Sequence, residues 1–398
     1  MENKFAYIEK FKRYGFGMFV HFGIYSVIGQ GEWALNILNV DSQKYEKTAY
    51  RFNPVKDWAK KLVKQAKKTG CKYITLTTRH HDGFSLFDTK GLSDYDTMHT
   101  IGRDLVREFV DACREQDIVP FFYHTLIDWH NKDYPTNFER YLEYLRKSVE
   151  VLCSQYGEIG GFWFDGSWDN KDADWKFDAL YKMIRSYQPQ TMIVNNTGMS
   201  ARGEISHEEI DSVTFERGNP FKVKGSDKPI AGEMCQTLND HWGYTKLDMN
   251  YKSPVELISN LADCRWHNCN FLMNVGLKGN GIIRDIDNAV FNMVGEWIKI
   301  NKNFIYNAVK ADITAEGAKI LTDGKVYYAV IDKVDMVANP NVQLAENEKK
   351  YFTVNAKVKD IRWLDNGKRL NKTAKGYYVD TFLYGRSQGV RVAKFTIE

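Results

Sequence analysis

The chain has 398 residues, a length that suits two or three domains at about 150 residues each, or one large barrel of about 250 residues with a smaller appendage. Hydrophobic residues make up 43% and charged residues 27%, which excludes a disordered or membrane-spanning chain. With 55 basic against 51 acidic residues the formal charge is +4, so there is no electrostatic footprint for nucleic acid. Aromatic residues are abundant at 14%. Most of that fraction is expected in a large core, and the remainder in a cleft that stacks aromatic faces on the apolar C–H surfaces of a ligand such as a sugar. The six cysteines (Cys71, Cys113, Cys153, Cys235, Cys264 and Cys269) form no C-x-x-C pair and read as reduced core thiols. No leader with a basic and then an apolar region opens the chain, and no apolar run approaches the length of a span, so a cytoplasmic location is expected.

Taken in order, short apolar runs alternate with longer amphipathic ones. Strands are expected at 16–22, 72–78, 118–124, 161–165, 192–196, 212–216, 229–237 and 271–275. Helices are expected at 57–68, 103–116, 138–155, 173–187, 254–266 and 286–301, with Tyr156-Gly157 ending the third. Eight strands that mostly alternate with helices imply a parallel sheet, and that number favours a (β/α)8 barrel over an open sheet. No helix is evident between the sixth and seventh strands, so the barrel is expected to be irregular there. From about residue 307 the pattern becomes short strands split by turn signals, with Asp365-Asn366-Gly367 as a hairpin turn. The expected organisation is a catalytic barrel over 1–306 and a small antiparallel β-sandwich over 307–398.

In such a barrel the reacting groups come from the C-terminal ends of the strands. His21 ends the first strand, with Glu32 and Trp33 in the loop beyond. His80 and His81 end the second, Tyr123 the third, Asp165 the fourth and Glu216-Arg217 the sixth; Glu233 and Trp242 lie on or after the seventh. One histidine at a strand end is commonly structural, but several converging on one mouth point to a site. Paired His80-His81 with His21 could hold zinc, which would make a metal-dependent hydrolase. Adjacent strand residues point to opposite faces, however, and neutral imidazoles hydrogen-bonded to sugar hydroxyls suit the surrounding Trp and Tyr better, so no metal or other cofactor is expected. Asp165 follows a buried run ending in Trp163-Phe164 and precedes Gly166, a setting for a nucleophile as well as for a helix cap. Glycoside hydrolysis needs a second carboxyl group, for which Glu233, Glu216 and Glu32 are the candidates.

Six segments then match one family in order and spacing over about residues 11–300. They are Phe19-Val20-His21-Phe22-Gly23-Ile24-Tyr25-Ser26, Gly31-Glu32-Trp33, His80-His81-Asp82-Gly83-Phe84, Trp163-Phe164-Asp165-Gly166, Glu233-Met234-Cys235 leading to Trp242-Gly243-Tyr244, and Asn274-Val275-Gly276. On these residues the chain resembles the α-L-fucosidases of glycoside hydrolase family 29. The resemblance implies a retaining exo-α-L-fucosidase that acts on fucosylated oligosaccharides or glycoconjugates through a covalent fucosyl-enzyme on Asp165. It also implies a fucose pocket of His21, Glu32, Trp33, His80, His81, Tyr123, Trp163 and Arg217, walled by Trp242. The Glu-Met-Cys context points to Glu233 as general acid/base, with Glu216 as its rival. Arg79 stands where the family often has Lys, and Gly276 lacks the Pro that usually follows it. A catalytically inactive fucose-binding protein is the alternative outside catalysis, and the oligomeric state, homo-oligomer included, is left open.

Overall fold

The computed structural model describes residues 4–221, 223, 228–334, 349–380 and 388–398. Eight parallel strands close into a barrel in chain order: β1 (Phe16–His21), β2 (Tyr73–Arg79), β3 (Val119–Thr125), β4 (Gly161–Asp165), β5 (Met192–Asn196), β6 (Ser212–Thr214), β7 (Ala231–Gln236) and β8 (Asn270–Gly276). β1 pairs with both β2 and β8, which seals the sheet and leaves no edge. The strands read as nearly unbroken apolar runs because both faces are buried. Outward residues such as Met18, Ile74, Phe122 and Phe162 pack under the helices. Inward residues such as Phe19, Tyr73, Phe121, Trp163, Val194 and Leu272 form a separate central cluster.

Helices Trp58–Thr69, Leu105–Glu115, Phe138–Gln155, Phe177–Tyr187, Pro254–Trp266 and Asp285–Asn307 surround the barrel. Three of them start with a side-chain cap: Asp104, Asn137 and Ser253 each accept a first-turn backbone N–H. Among the described residues no helix follows β5 or β6, and β6 meets β5 through the single pair Val194–Ser212, so the irregularity is wider than the sequence suggests. An additional helix, Ala6–Lys12, plugs the N-terminal end of the barrel, where the Phe11 ring lies 5.5 Å from both Tyr73 and Phe121.

The chain then forms β9 (Val309–Lys310), β10 (Ala315–Glu316), β11 (Lys319–Thr322), β12 (Tyr327–Ile331), β13 (Lys349–Val354), β14 (Val358–Trp363), β15 (Lys372–Thr373), β16 (Gly376–Asp380) and β17 (Arg391–Ile397). These make two antiparallel sheets, ordered β10-β13-β16-β15 and β14-β17-β12-β11-β9, around a core that includes Ile320, Phe352, Ile361, Val379 and Phe395. The architecture is a TIM barrel with a β-sandwich, as the sequence pattern implies. Trp297 Nε1 donates to Val390 O at 2.9 Å, and Lys319 pairs with both Asp263 and Asp332, which fastens the sandwich to the barrel helices. All six cysteines are buried and unpaired. No described helix is long and apolar enough to cross a membrane.

Inward glycines leave room for the rings beside them. A Cβ on Gly161 would lie 2.5 Å from the Phe121 ring and 2.7 Å from the Met192 carbonyl, and that backbone oxygen cannot move aside as a flexible side chain could. Gly161→Ala is therefore expected to destabilise the protein by roughly 1–3 kcal/mol. A lower urea unfolding midpoint checks this, and an unchanged midpoint contradicts it.

Candidate active site

A cavity of about 650 Å³ opens at the C-terminal ends of the barrel strands. The two-residue period of the strands places His21, Tyr123, Trp163, Asp165 and Asn196 on the inward face. The loops after β1, β2 and β6 add Glu32 and Trp33, His80 and His81, and Glu216 and Arg217, while Trp168 and Trp242 complete the walls. Every site residue expected from the sequence lines this cavity except Glu233.

Asp165, the last residue of β4, accepts three hydrogen bonds. Tyr123 OH donates to Oδ2 at 2.9 Å, and Trp168 Nε1 and Asn196 Nδ2 donate to Oδ1 at 2.9 and 3.1 Å. Asn196 Nδ2 also donates to Glu216 Oε2 at 2.9 Å. Thr214 Oγ1 and Gly198 N donate to Asn196 Oδ1, which orients the amide with its nitrogen towards the two carboxyl groups. Because one nitrogen contacts both, those two oxygens are no more than about 6 Å apart, the sum of the 3.1 and 2.9 Å legs. Burial, and next the charge of Asp165, raise the Glu216 pKa above the ordinary carboxylate value.

Burial lowers the pKa of all three cavity histidines below the ordinary imidazole value. Burial pushes His21 down to about 3 and His81 down to about 4, the latter against the pull of Asp165, whose Oδ2 lies 3.6 Å from His81 Nε2. Burial also holds His80 well below its ordinary value, and its ring stacks on Tyr123 at 5.6 Å and 11°. His21 Nδ1 donates to Asn274 Oδ1 at 2.7 Å while Asn274 Nδ2 donates to Trp242 O at 2.8 Å, so His21 turns an accepting Nε2 to the cavity. Among the described residues no group of His, Cys, Asp or Glu is arranged to hold a metal ion.

Loop contacts set the walls. Glu32 Oε2 accepts Gly243 N–H at 2.7 Å, tying the loop after β1 to the loop after β7. Trp33 packs between Trp129 at 5.0 Å and Trp168 at 6.1 Å. Arg217 has a left-handed backbone, φ +49°, which turns the chain directly after Glu216. Its guanidinium lies 5.2 Å over the Trp242 ring and donates to Asp240 O at 2.7 Å.

Glu233 lies beneath the cavity floor, 1% exposed. Thr214 of β6 pairs with Glu233 of β7, and Glu216 follows Thr214 by two residues. At about 3.3 Å per residue, Glu216 therefore sits roughly 6–7 Å higher along the barrel than Glu233. Glu233 Oε1 accepts Trp163 Nε1–H at 2.9 Å and Oε2 accepts the Tyr73 hydroxyl, while burial raises its pKa to about 7. Asn196 and Trp168 are site residues that the sequence reading did not single out. Asn196 carried a usable signal, since it ends the fifth strand.

Residues 2–303 match the family model described as alpha-L-fucosidase. The chain belongs to the α-L-fucosidase family. It is 27% identical over 336 residues to the alpha-L-fucosidase of Dictyostelium discoideum, covering 74% of this chain and 70% of that one. It is 32% identical to alpha-L-fucosidase isoenzyme 1 from Paenibacillus thiaminolyticus, with a TM-score of 0.84 over 99% of each chain. It shares its fold with a family 29 alpha-L-fucosidase from Bacteroides thetaiotaomicron, at 24% identity and a TM-score of 0.80 over 98% of this chain and 95% of that one. The family relationship thus spans the barrel, and the likeness to the Paenibacillus structure extends through the sandwich.

With pKa values near 3 and 4, His21 and His81 are expected to stay neutral at pH 6, where a free imidazole is mostly charged. Nitrogen NMR of labelled histidine side chains checks this, and a midpoint near 6.5 for either ring contradicts it.

Proposed function

We propose that the protein is an exo-acting, retaining α-L-fucosidase in which Asp165 is the nucleophile and Glu216 the general acid/base. The observation that carries this reading is the Asn196 amide shared by the two carboxyl groups, which holds a pair of their oxygens within about 6 Å. Retaining glycosidases place their carboxyl groups about 5–5.5 Å apart, whereas inverting ones need about 6.5–9.5 Å to admit a water. Glu216 replaces Glu233 in the role expected from the sequence because Glu216 lines the cavity and Glu233 does not.

In the first step an Asp165 oxygen attacks the anomeric carbon, the bond to the leaving oxygen breaks, and Glu216 gives that oxygen its proton. The raised pKa of Glu216 supplies the protonated form. Once Asp165 is an ester it carries no charge, so the repulsion that helped to raise Glu216 disappears and the carboxylate can act as base. Glu216 then takes a proton from water, the water oxygen attacks the anomeric carbon, and the ester bond to Asp165 breaks. Fucose leaves with the configuration it had in the substrate.

Neutral His21, His80 and His81 offer hydrogen bonds to sugar hydroxyls without adding charge beside Asp165. Phe19 and Trp163 close the cavity below, which favours a single terminal sugar over an internal one. The substrate class is a fucosylated oligosaccharide or glycoconjugate.

Paired variants test the assignment. Asp165→Ala is expected to lose hydrolysis of p-nitrophenyl α-L-fucoside and, with azide, to form the β-fucosyl azide. Glu216→Ala is expected to lose roughly 10²–10⁴-fold on a fucosyl disaccharide, whose leaving group needs a proton, and much less on the nitrophenyl substrate. Azide should restore Glu216→Ala and give the α-fucosyl azide. Undiminished disaccharide hydrolysis by Glu216→Ala would remove Glu216 from the role.

Glu216 must be protonated in the first step, so kcat/KM on the disaccharide is expected to fall as pH rises through its elevated pKa. On the same disaccharide, the residual activity of Glu216→Gln should lack this alkaline limb. An unchanged limb in that variant assigns the titration to another group.

A further inference from the structure

Glu233 is a carboxyl group in the middle of the barrel, enclosed by apolar and aromatic side chains and paired with no cation among the described residues. Burying such a group costs free energy that an apolar residue of similar size would avoid. Its two recorded partners are both hydrogen-bond donors, Tyr73 OH and Trp163 Nε1–H.

The second partner leads towards the site. The Trp163 ring stacks on Tyr123, with centroids 5.6 Å apart and planes inclined by 23°. His80 stacks on Tyr123 as well, so the phenol has ring neighbours in both Trp163 and His80. Tyr123 OH donates to Asp165 Oδ2, the carboxylate oxygen that Trp168 and Asn196 do not hold. The Nε1 hydrogen bond is the polar contact that fixes the tilt of the Trp163 indole, and any change of that tilt displaces the ring packed upon it.

We propose that Glu233 is a positioning residue for Asp165, acting from beneath the cavity by fixing Trp163, which fixes Tyr123 and so the direction of Asp165 Oδ2. The inference rests on the reading of Asp165 as nucleophile. Glu233 touches no reacting atom. Its effect belongs in kcat, because misdirected attack slows the chemical step while the groups that grip the sugar stay in place.

Glu233→Leu keeps the volume and removes the acceptor, while Glu233→Gln keeps an acceptor oxygen for Trp163. On p-nitrophenyl α-L-fucoside, Glu233→Leu is expected to lower kcat roughly 10- to 100-fold with KM changed less than about threefold. Glu233→Gln should recover most of that loss. In a Tyr123→Phe background the link to Asp165 is already broken, so Glu233→Leu should cost at least several-fold less there. If Glu233→Leu fails to fold, Trp163→Phe, which removes the donor and keeps a ring, is expected to show the same kcat loss and the same dependence on Tyr123.

Equal losses in both backgrounds overturn the proposal, as does a loss confined to KM. Azide rescue of Glu233→Leu to the α-fucosyl azide would make Glu233 the acid/base and also overturn it. A wild-type kcat for Glu233→Leu beside an inactive Asp165→Ala defeats this inference alone, whereas an active Asp165→Ala defeats the reading beneath it.

Discussion

Two carboxyl groups a few ångströms apart in a partly buried cavity repel each other if both are charged, and the more strongly the less solvent screens them. That repulsion favours one proton between the pair, and the surroundings decide where it rests. Asp165 has three donors pointed at it, and Glu216 has one, which it shares with Asp165. Burial, and next the charge of Asp165, raise the Glu216 pKa, which favours the proton there. Asn196 can serve both because an amide nitrogen has two hydrogens and no charge. A lysine there would favour ionisation of both carboxyl groups, and a leucine would leave their separation uncontrolled.

The barrel makes that arrangement rigid. β4 carries Trp163 and Asp165 on one face, β3 sets Tyr123 beside them, and β5 ends in Asn196. Because adjacent parallel strands are in register, Asp165 pairs directly with Asn196. Less regular backbone is confined to places where a side chain must be redirected. The short β6 and the left-handed Arg217 bring Glu216 to the cavity where a longer strand would carry the chain onward. The neutral histidines belong to the same logic, since burial removes their charge and leaves them as hydrogen-bonding groups.

Much of this was legible in the residues. The spans 138–155, 161–165, 192–196 and 254–266 match the observed elements, because long amphipathic runs, caps and β-rich stretches bounded by turns are local signals. The strands β9, β10 and β15 were not, since two residues cannot display a period. The helix 6–12 was missed because its apolar residues seal the barrel end and do not form a long stripe. At the site, strand ends revealed which residues could meet. They did not reveal height. Glu233 points inward from β7 and Glu216 from the turn just after β6, and the pairing of Thr214 with Glu233 shows that one reaches the cavity and the other lies under it. Sequence context favoured Glu233, whereas the position of Asn196 favours Glu216.

The central claim is that Asp165 forms the bond to the sugar. Its most direct test is to incubate the protein with 2-deoxy-2-fluoro-L-fucosyl fluoride, whose fluorine slows hydrolysis of the ester, and to map the adduct by peptide mass spectrometry. The account predicts one fluorofucosyl group on the peptide containing Asp165, with fragmentation placing it on that residue and no labelling of Asp165→Ala. A label on Glu216, Glu233 or any other residue, or rapid turnover of p-nitrophenyl α-L-fucoside with inversion and no adduct, would contradict it.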